Sequence, residues 1–267
     1  MIPIKPLDKQ IRDLGDEENY AVPRVKTNSN YWMWILIGGK GSGKSSVLLN
    51  VLENKLLGLY ENIYLISPTA ELDPKFKKLV EELKVDNHFY EHFSEKVIDT
   101  IMNDLRHKET EKEKEKETPK KGVEISKKGV EISKKGAELS RNLIIFDDCI
   151  ADLPKSTVKN ATFNKLMCNH RHFHSDIIIT SQVYRLLNPT VRKNFNIITI
   201  WPSVNKGERK AYLDEINVDE DLLYQLIDMT SRDNYGNLTI NFMKRSTPKF
   251  FSNFKPLRIC ESAKQIN

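Results

Sequence analysis

The sequence is poor in cysteine and has no long apolar run. Its 267 residues include three cysteines, scattered at Cys149, Cys168 and Cys260. Three dispersed thiols make a disulfide framework improbable, so we expect a protein of a reducing compartment. No apolar stretch reaches the ~18 residues that a membrane-spanning helix needs, and the charged N-terminus has no signal-peptide core. We therefore expect neither a disulfide-stabilised fold nor contact with a membrane.

A large excess of one charge is also missing. The formal net charge is +5, and residues 108–141 contain 11 basic and 8 acidic side chains, which account for +3 of it. Net charge alone therefore gives no argument for nucleic-acid binding. The length is sufficient to bury a complete core, and one large α/β domain is the expected organisation.

The most informative stretch contains Gly38, four further residues, and then Gly43-Lys44-Ser45, which is the P-loop spacing. The apolar residues 33–37 predict a buried strand before it, and residues 46–57 have helical spacing after it. A strand, a glycine-rich turn and a helix let backbone N–H groups surround a phosphate. The flanking elements disfavour the alternative, a chance glycine-rich hairpin.

We therefore predict that this loop binds the phosphates of a nucleoside triphosphate. Lys44 is expected to reach the β- and γ-phosphates, and the Ser45 hydroxyl to hold Mg²⁺. The glycines allow the backbone to close on the ligand, which side chains would prevent. The predicted nucleotide-binding residues are Gly38, Gly39, Lys40, Gly41, Ser42, Gly43, Lys44, Ser45 and Ser46.

Composition divides the rest of the chain into three parts. Residues 1–30 are polar and interrupted by prolines, which predicts an extended arm. Residues 108–140 form a charged low-complexity insert that ends in three heptads, each with a glycine. Glycine weakens a coiled coil, so we predict a disordered surface loop, with nucleic-acid binding as the less favoured alternative. Residues 31–107 and 141–258 are then a single domain.

Continuous apolar strands separated by helices predict the fold class. Four further buried strands are expected at 62–67, 142–148, 176–180 and 195–201, with a short strand near 88–90. Helices are expected at 74–83, 94–105, 155–173 and 219–230. This alternation indicates an α/β protein with a mainly parallel central sheet and helices on both faces. Gly236, between 232–235 and 238–243, predicts a closing hairpin or edge strands.

Two further polar groups follow predicted strands. Asp147 and Asp148 end the strand at 142–148, the arrangement in which the first acid completes a Mg²⁺ shell begun by Ser45. Asp148 is placed to polarise the attacking water, although it is one methylene shorter than the more usual Glu. Gln182 follows the strand at 176–180. If that strand lies between the P-loop strand and the Asp147 strand, Gln182 points at the γ-phosphate.

These elements, together with Arg171-His172 and the segment Asn188-Pro189-Thr190-Val191-Arg192, resemble a known family. The sequence is similar to the poxvirus-type genome-packaging ATPases of large DNA viruses and virophages, within the FtsK–HerA superfamily, from Tyr31 to Phe254. The resemblance implies an additional-strand, RecA-like P-loop domain that uses ATP and Mg²⁺ in a ring of identical subunits. It also implies pumping of double-stranded DNA into a capsid without sequence preference.

The same resemblance implies capsid proteins as partners, and a location in the host cytoplasm, at the viral assembly site or with the virion. Ring ATPases of this kind place an arginine from one subunit in the site of the next. Arg171 and Arg192 are the candidates for this role, and Arg171 is favoured because the Arg-His pair matches the family pattern.

Several alternatives stay open. Related functions are a cellular HerA-like DNA pump, a P-loop small-molecule kinase and a non-hydrolysing assembly protein. The run Cys168-Asn-His170-Arg-His172-Phe-His174 raises the less favoured possibility of zinc. Asn205-Lys206-Gly207-Glu208 resembles a guanine-reading motif, but the last residue is Glu and no Asp-x-x-Gly switch follows the metal acid, so a GTPase is not predicted.

Overall fold

The computed structural model describes residues 4–6, 31–56, 59–117, 141–149, 161–202, 205–243 and 249–259. Within these ranges ten strands form one sheet: β1 (Ile4–Pro6), β2 (Met33–Ile37), β3 (Asn62–Ile66), β4 (Phe89–Tyr90), β5 (Asn142–Phe146), β6 (Ser175–Ser181), β7 (Ile197–Ile200), β8 (Leu238–Asn241), β9 (Lys249–Ser252) and β10 (Lys255–Ile259). The α-helices of these ranges are α1 (Lys44–Val51), α2 (Lys77–Val85), α3 (Glu95–Glu117), α4 (Ala161–Asn169), α5 (Pro189–Asn194), α6 (Lys206–Glu215) and α7 (Glu220–Thr230).

The sheet is mixed, with a parallel half and an antiparallel half. Its strand order is β1-β10-β9-β8-β7-β2-β6-β5-β3-β4. The six strands from β7 to β4 run parallel, whereas β8, β9, β10 and β1 pair antiparallel. Because β6 lies between β2 and β5, the strand order that we required for Gln182 is confirmed.

The side chains of β2 alternate between the two faces of the sheet, and helices cover both faces. Met33, Ile35 and Ile37 belong to a core shared with α3, α4, α6 and α7, whereas Trp34 and Leu36 belong to a second core shared with α1 and α2. All five β2 side chains are fully buried. A strand buried on both faces reads as one continuous apolar run, and this run made β2 recognisable in the sequence.

The predicted parallel strands are confirmed, each within two residues of its expected ends. The prediction of a closing hairpin or edge strands around Gly236 was wrong. Leu238–Asn241 is a strand, but it pairs with β7 and β9 inside the sheet, and residues 231–235 form turns. A Cβ on Gly236 would lie 1.9 Å from the Thr230 carbonyl oxygen, so this glycine closes a tight turn after α7. Strands β9 and β10 and helices α5 and α6 were not predicted from the sequence.

The prediction of a disordered insert from residue 108 was wrong for its first ten residues. Helix α3 continues to Glu117, because the Glu- and Lys-rich segment consists of strong helix formers and lacks glycine and proline. Lys108 Nζ donates to Asn62 Oδ1 at 2.8 Å and pairs with Asp104 at 2.9 Å. Glu109 lies 3.1 Å from His174 Nε2. These contacts hold the helix against the sheet, and the heptads at 120–140 lie outside the described residues.

The predicted arm at 1–30 contributes Ile4–Pro6, which pairs with β10 as the outermost strand, and its other residues lie outside the described ranges. The predicted helix at 155–173 is described from residue 161 onward, as α4 and the 3₁₀ turn His170–Phe173. None of the helices described in the structure combines the length and the apolar character needed to cross a bilayer.

A buried ion pair lies at the amino end of the parallel strands. Arg141 donates from Nε to Asp176 Oδ2 at 2.6 Å and from Nη2 to Oδ1 at 2.9 Å. Asp176 also accepts from the Tyr60 hydroxyl at 2.7 Å and from the Trp32 N–H at 2.9 Å. Burial would lower the pKa of Arg141, but its hydrogen bonds to Asp176 outweigh this effect and raise it. The pair fixes the chain at the residue where it returns from the insert.

We expect Asp176→Asn to lower the free energy of unfolding by about 3 kcal/mol or more, because it leaves the buried guanidinium without a countercharge. Urea denaturation would measure the loss. Lys77→Ala is the control, because the Lys77–Glu81 pair is 75% and 66% exposed and should contribute at most about 0.5 kcal/mol. Equal stabilities of the two variants would contradict the importance of the buried pair.

Candidate functional site

The phosphate-binding loop leaves the sheet at the carboxyl end of β2 and leads directly into α1, which begins at Lys44. Gly41 and Gly43 have φ values of +76° and +101°, which side chains rarely adopt. A Cβ on Gly38 would lie 2.5 Å from Ser42 Oγ and 2.9 Å from Trp201 Cβ. Gly38, Gly41 and Gly43 are therefore required by the loop's own geometry. The Ser42 hydroxyl is buried and has no hydrogen-bond partner among the described residues.

Lys44 lies inside the curve of this loop. Its side-chain ammonium donates to the carbonyl oxygens of Gly38 at 2.6 Å and Gly39 at 3.2 Å. The residue is 6% exposed. Burial lowers the pKa of Lys44, while the negative charges of Asp148 and Asp147 oppose that shift. The loop thus holds a buried cation beside two acids.

Asp147 is fixed between three adjacent parallel strands. It follows β5, accepts from Thr180 Oγ1 at 2.7 Å on the β6 side, and accepts from Ser67 Oγ at 3.0 Å on the β3 side. The residue is 3% exposed. Burial raises the pKa of Asp147, against the lowering effect of the hydrogen bonds from Thr180 and Ser67. Both carboxylate oxygens therefore have a set orientation.

Asp148 and Gln182 form the outer part of the same cluster. The Asp148 N–H donates to Thr180 Oγ1 at 2.9 Å, and its φ is +48°, a conformation uncommon for residues other than glycine. Gln182 Nε2 donates to Asp148 Oδ2 at 3.2 Å. The structure therefore brings Lys44, Asp147, Asp148 and Gln182 together at one edge of the sheet.

Three contributors were missed in the sequence. Thr180 bonds to both acidic residues at once, and Ser67 orients Asp147 from the opposite side. Thr180 and Ser67 each lie at the end of a buried strand next to β5. A polar residue at a strand end was therefore the signal available in the sequence, but the roles of these two residues depend on the strand order. Lys75 Nζ donates to Ser46 Oγ at 3.0 Å, which brings a second cation to the start of α1. No sequence pattern indicated that contact.

The structure does not bring the two candidate arginines into this cluster. Arg171 is exposed in the turn before β6, at the amino end of that strand, whereas the phosphate loop meets its carboxyl end at Ser181. Arg192 Nε lies 3.0 Å from Glu215 Oε2, and its guanidinium stacks over Tyr184. The Arg192 side chain is 18% exposed. Arg192 therefore has an intramolecular partner, whereas Arg171 projects from the surface.

The two other motifs have local structural roles. The Asn205 side chain caps α6 by accepting from the N–H groups of Gly207 and Glu208. His170 Nδ1 lies 2.7 Å from the Ser175 carbonyl oxygen, and His174 Nδ1 lies 2.7 Å from the Tyr31 hydroxyl. His170 and His174 of the suspected zinc run thus contact different groups.

The sequence matches the model of the family described as Poxvirus A32 protein over residues 21–264. Among curated proteins, none matches the sequence at a significant level.

Solved structures share the fold. The DNA-packaging ATPase B204 of Sulfolobus Turreted Icosahedral Virus superposes with a TM-score of 0.56 at 14% identity, covering 82% of this chain and 96% of B204. The genome packaging NTPase B204 of Sulfolobus turreted icosahedral virus 2, in complex with sulfate, superposes with a TM-score of 0.54 at 13% identity, covering 82% and 95%. Its complex with AMP gives 0.53 at 15% identity, covering 84% and 98%. The predicted P-loop ATPase fold is therefore confirmed.

The loop geometry generates a paired prediction for two neighbouring glycines. Gly38→Ala should lower the thermal unfolding midpoint, because its methyl group would collide with Ser42 and Trp201. Gly39→Ala should leave the midpoint nearly unchanged, because a Cβ at Gly39 meets nothing within 4 Å. Differential scanning calorimetry would compare them, and equal midpoints would contradict the close approach at Gly38.

The two hydrogen bonds of the Thr180 hydroxyl should stabilise the fold. Thr180→Val keeps the shape of the side chain but removes a donor to Asp147 and an acceptor for the Asp148 N–H. The free energy of unfolding should fall by about 1–3 kcal/mol, the cost of leaving buried polar groups unpaired. Thr180→Ser retains the hydroxyl and is the control. In urea denaturation, a valine variant as stable as the wild type would show that the hydroxyl contributes no net stability.

Proposed function

We propose that this chain, which belongs to the poxvirus A32 protein family, is an ATP-hydrolysing motor that drives double-stranded DNA into a viral capsid. The observation that carries the proposal is the cluster at the carboxyl edge of the sheet. There a lysine from the loop after β2, two consecutive acids that follow β5 and a glutamine that follows β6 lie together. Lys44, Asp147, Asp148 and Gln182 are the residue types that phosphoryl transfer to water requires.

The loop is suited to a triphosphate. Its glycines at positive φ, Gly41 and Gly43, turn the backbone sharply, and the first N–H groups of α1 have no acceptor within the helix. The orphaned Ser42 hydroxyl supplies a further donor at this position. Gly38 to Ser46 would hold the phosphates, with the Lys44 ammonium exchanging its two carbonyl partners for phosphate oxygens. The nucleotides bound to B204 in the solved structures are consistent with this assignment.

The Ser45 hydroxyl and the Asp147 carboxylate would hold Mg²⁺. Both are oxygen ligands, which Mg²⁺ prefers, and Asp147 is already oriented by two hydroxyl donors. Bound Mg²⁺ would neutralise charge on the phosphates. The cation would also compensate the burial of the Asp147 carboxylate, which otherwise favours its protonated form.

Asp148 and Gln182 would act on the attacking water. Their direct hydrogen bond at 3.2 Å links the candidate base to the candidate sensor, and Asp148 is only half-buried. Asp148 would accept a hydrogen bond from the water and align it with the γ-phosphorus. Gln182 would respond to loss of the γ-phosphate. Because it directly follows β6, it would transmit the change through that strand.

We also propose a ring of identical subunits in which Arg171 enters the site of the neighbour. Its exposure and its distance from the phosphate loop of its own subunit, at the opposite end of β6, support that role. Arg192 is disfavoured because Glu215 and the Tyr184 ring already engage it. An arginine supplied in trans raises the rate about 10³–10⁵-fold in well-studied NTPases.

The motor would grip the phosphate backbone of DNA and not the base edges, so binding should be independent of sequence and sensitive to salt. Capsid proteins are the expected partners at the site of virion assembly. The alternatives, a cellular DNA pump and a small-molecule kinase, have no specific observation in their favour.

The decisive measurement is steady-state ATP hydrolysis with Mg²⁺, with and without long double-stranded DNA. DNA should raise the rate several-fold, and the increase should fall as salt concentration rises. Lys44→Ala should lower the rate by about 100-fold or more, because it removes the cation that stabilises the transferring phosphoryl group. Lys77→Ala, on the exposed face of α2, is the matched control. Hydrolysis that is indifferent to DNA would contradict the motor, and phosphate transfer to an added small acceptor would favour a kinase.

A further inference from the structure

An exposed aromatic side chain stands beside the phosphate loop with no assigned role. Tyr235 is 73% exposed, more than any other tyrosine in the described residues. A Cβ on Gly43 would lie 3.9 Å from Tyr235 Cδ1, so the ring borders the backbone of the loop directly before Lys44. Because so much of the ring faces solvent, it contributes little to the core.

The backbone holds this ring in an unfavourable conformation. Tyr235 has a φ of +61°, which is rare for a bulky residue, and such outliers concentrate at ligand sites. The turn is fixed by a hydrogen bond from the Gly236 N–H to the Asp233 carbonyl oxygen at 3.0 Å, and by the absence of a side chain at Gly236. The conformation is therefore imposed by the fold and not by a contact of the ring.

Trp201 connects this turn to the phosphate loop. Its indole Nε1 donates to the Tyr235 carbonyl oxygen at 3.1 Å, and its backbone N–H donates to the Ile37 carbonyl oxygen at 2.8 Å. The same side chain borders Gly38 through its Cβ and Gly43 through its indole Nε1. The buried tryptophan thus sets the position of the exposed tyrosine relative to the loop.

We propose that Tyr235 is the platform on which the base of the bound nucleotide stacks, a proposal that rests on the proposed function. The ribose separates a base from its phosphates by only a few bonds, so a ring that borders the loop is within reach of the base. A flat aromatic face binds any base through stacking and does not read its edges. The platform therefore binds the base without identifying it, with little discrimination between ATP and GTP.

Tyr235→Asn is the most informative variant. Asparagine tolerates positive φ better than tyrosine, so this variant should fold at least as well as the wild type while lacking the ring. Tyr235→Phe keeps the ring. Tyr224→Ala, which removes an exposed tyrosine from α7, is the matched control.

Calorimetric titration with Mg²⁺ would measure the dissociation constants of three probes, which are non-hydrolysable ATP, non-hydrolysable GTP and inorganic triphosphate. Tyr235→Asn should bind both nucleotides about 10- to 100-fold more weakly, the range that stacking supports, and should bind triphosphate like the wild type. Tyr235→Phe and Tyr224→Ala should match the wild type with all probes.

Two results would overturn the platform alone. They are an unchanged affinity of Tyr235→Asn for the nucleotides, and an equal loss for inorganic triphosphate, which would indicate a distorted loop. A wild-type protein that binds none of the three probes would instead overturn the proposed function, and the platform with it.

Discussion

The site depends on the parallel pairing of β6 between β2 and β5. In this register Ile37 lies opposite Ser181, and Phe146 lies opposite Ile179. The loop after β2, the acids after β5 and the polar end of β6 therefore meet at one edge. A shift of β6 by one residue would turn Thr180 to the other face of the sheet and break its bonds to both acids. The apolar side chains that fix this register are thus as necessary to the site as its polar groups.

The same edge concentrates charge where burial makes charge costly. Lys44 and Asp147 are both almost fully buried. Burial lowers the pKa of Lys44 and raises the pKa of Asp147, so it favours the uncharged form of each side chain. Hydrogen bonds from Thr180 and Ser67 offset part of this cost for Asp147, and loop carbonyls do so for Lys44. The protein thereby keeps a cation and an anion poised beside each other, a preorganised arrangement that suits a ligand with many negative oxygens.

Features that depend on residues close together in the sequence could be predicted from it, whereas features that depend on contacts between distant residues could not. The P-loop and the strands from β2 to β7 are local patterns, and they were predicted because spacing and continuous apolar runs determine them. Thr180 and Ser67 gain their roles only through strand order, which one sequence does not specify. The short strands β9 and β10 carry no long apolar run. They exist because β8 offers β9 a partner, and β9 in turn offers one to β10. Tyr235 gains its position from a turn and a distant tryptophan, so no local pattern could indicate it.

Contacts at the opposite edge of the sheet, where the parallel strands begin, explain how the chain accommodates a repetitive insert. Near that edge Lys108 contacts Asn62 and Glu109 contacts His174, and α3 then continues eight residues to Glu117. At 1.5 Å per residue this carries the chain about 12 Å past the last of these contacts. It returns at Arg141, where the buried pair with Asp176 secures it. The seven residues of β6 put about 20 Å between this re-entry point and the phosphate loop. Added heptads therefore lengthen a segment whose two ends are anchored far from the acids, so their number can change without altering the strand register on which the site depends.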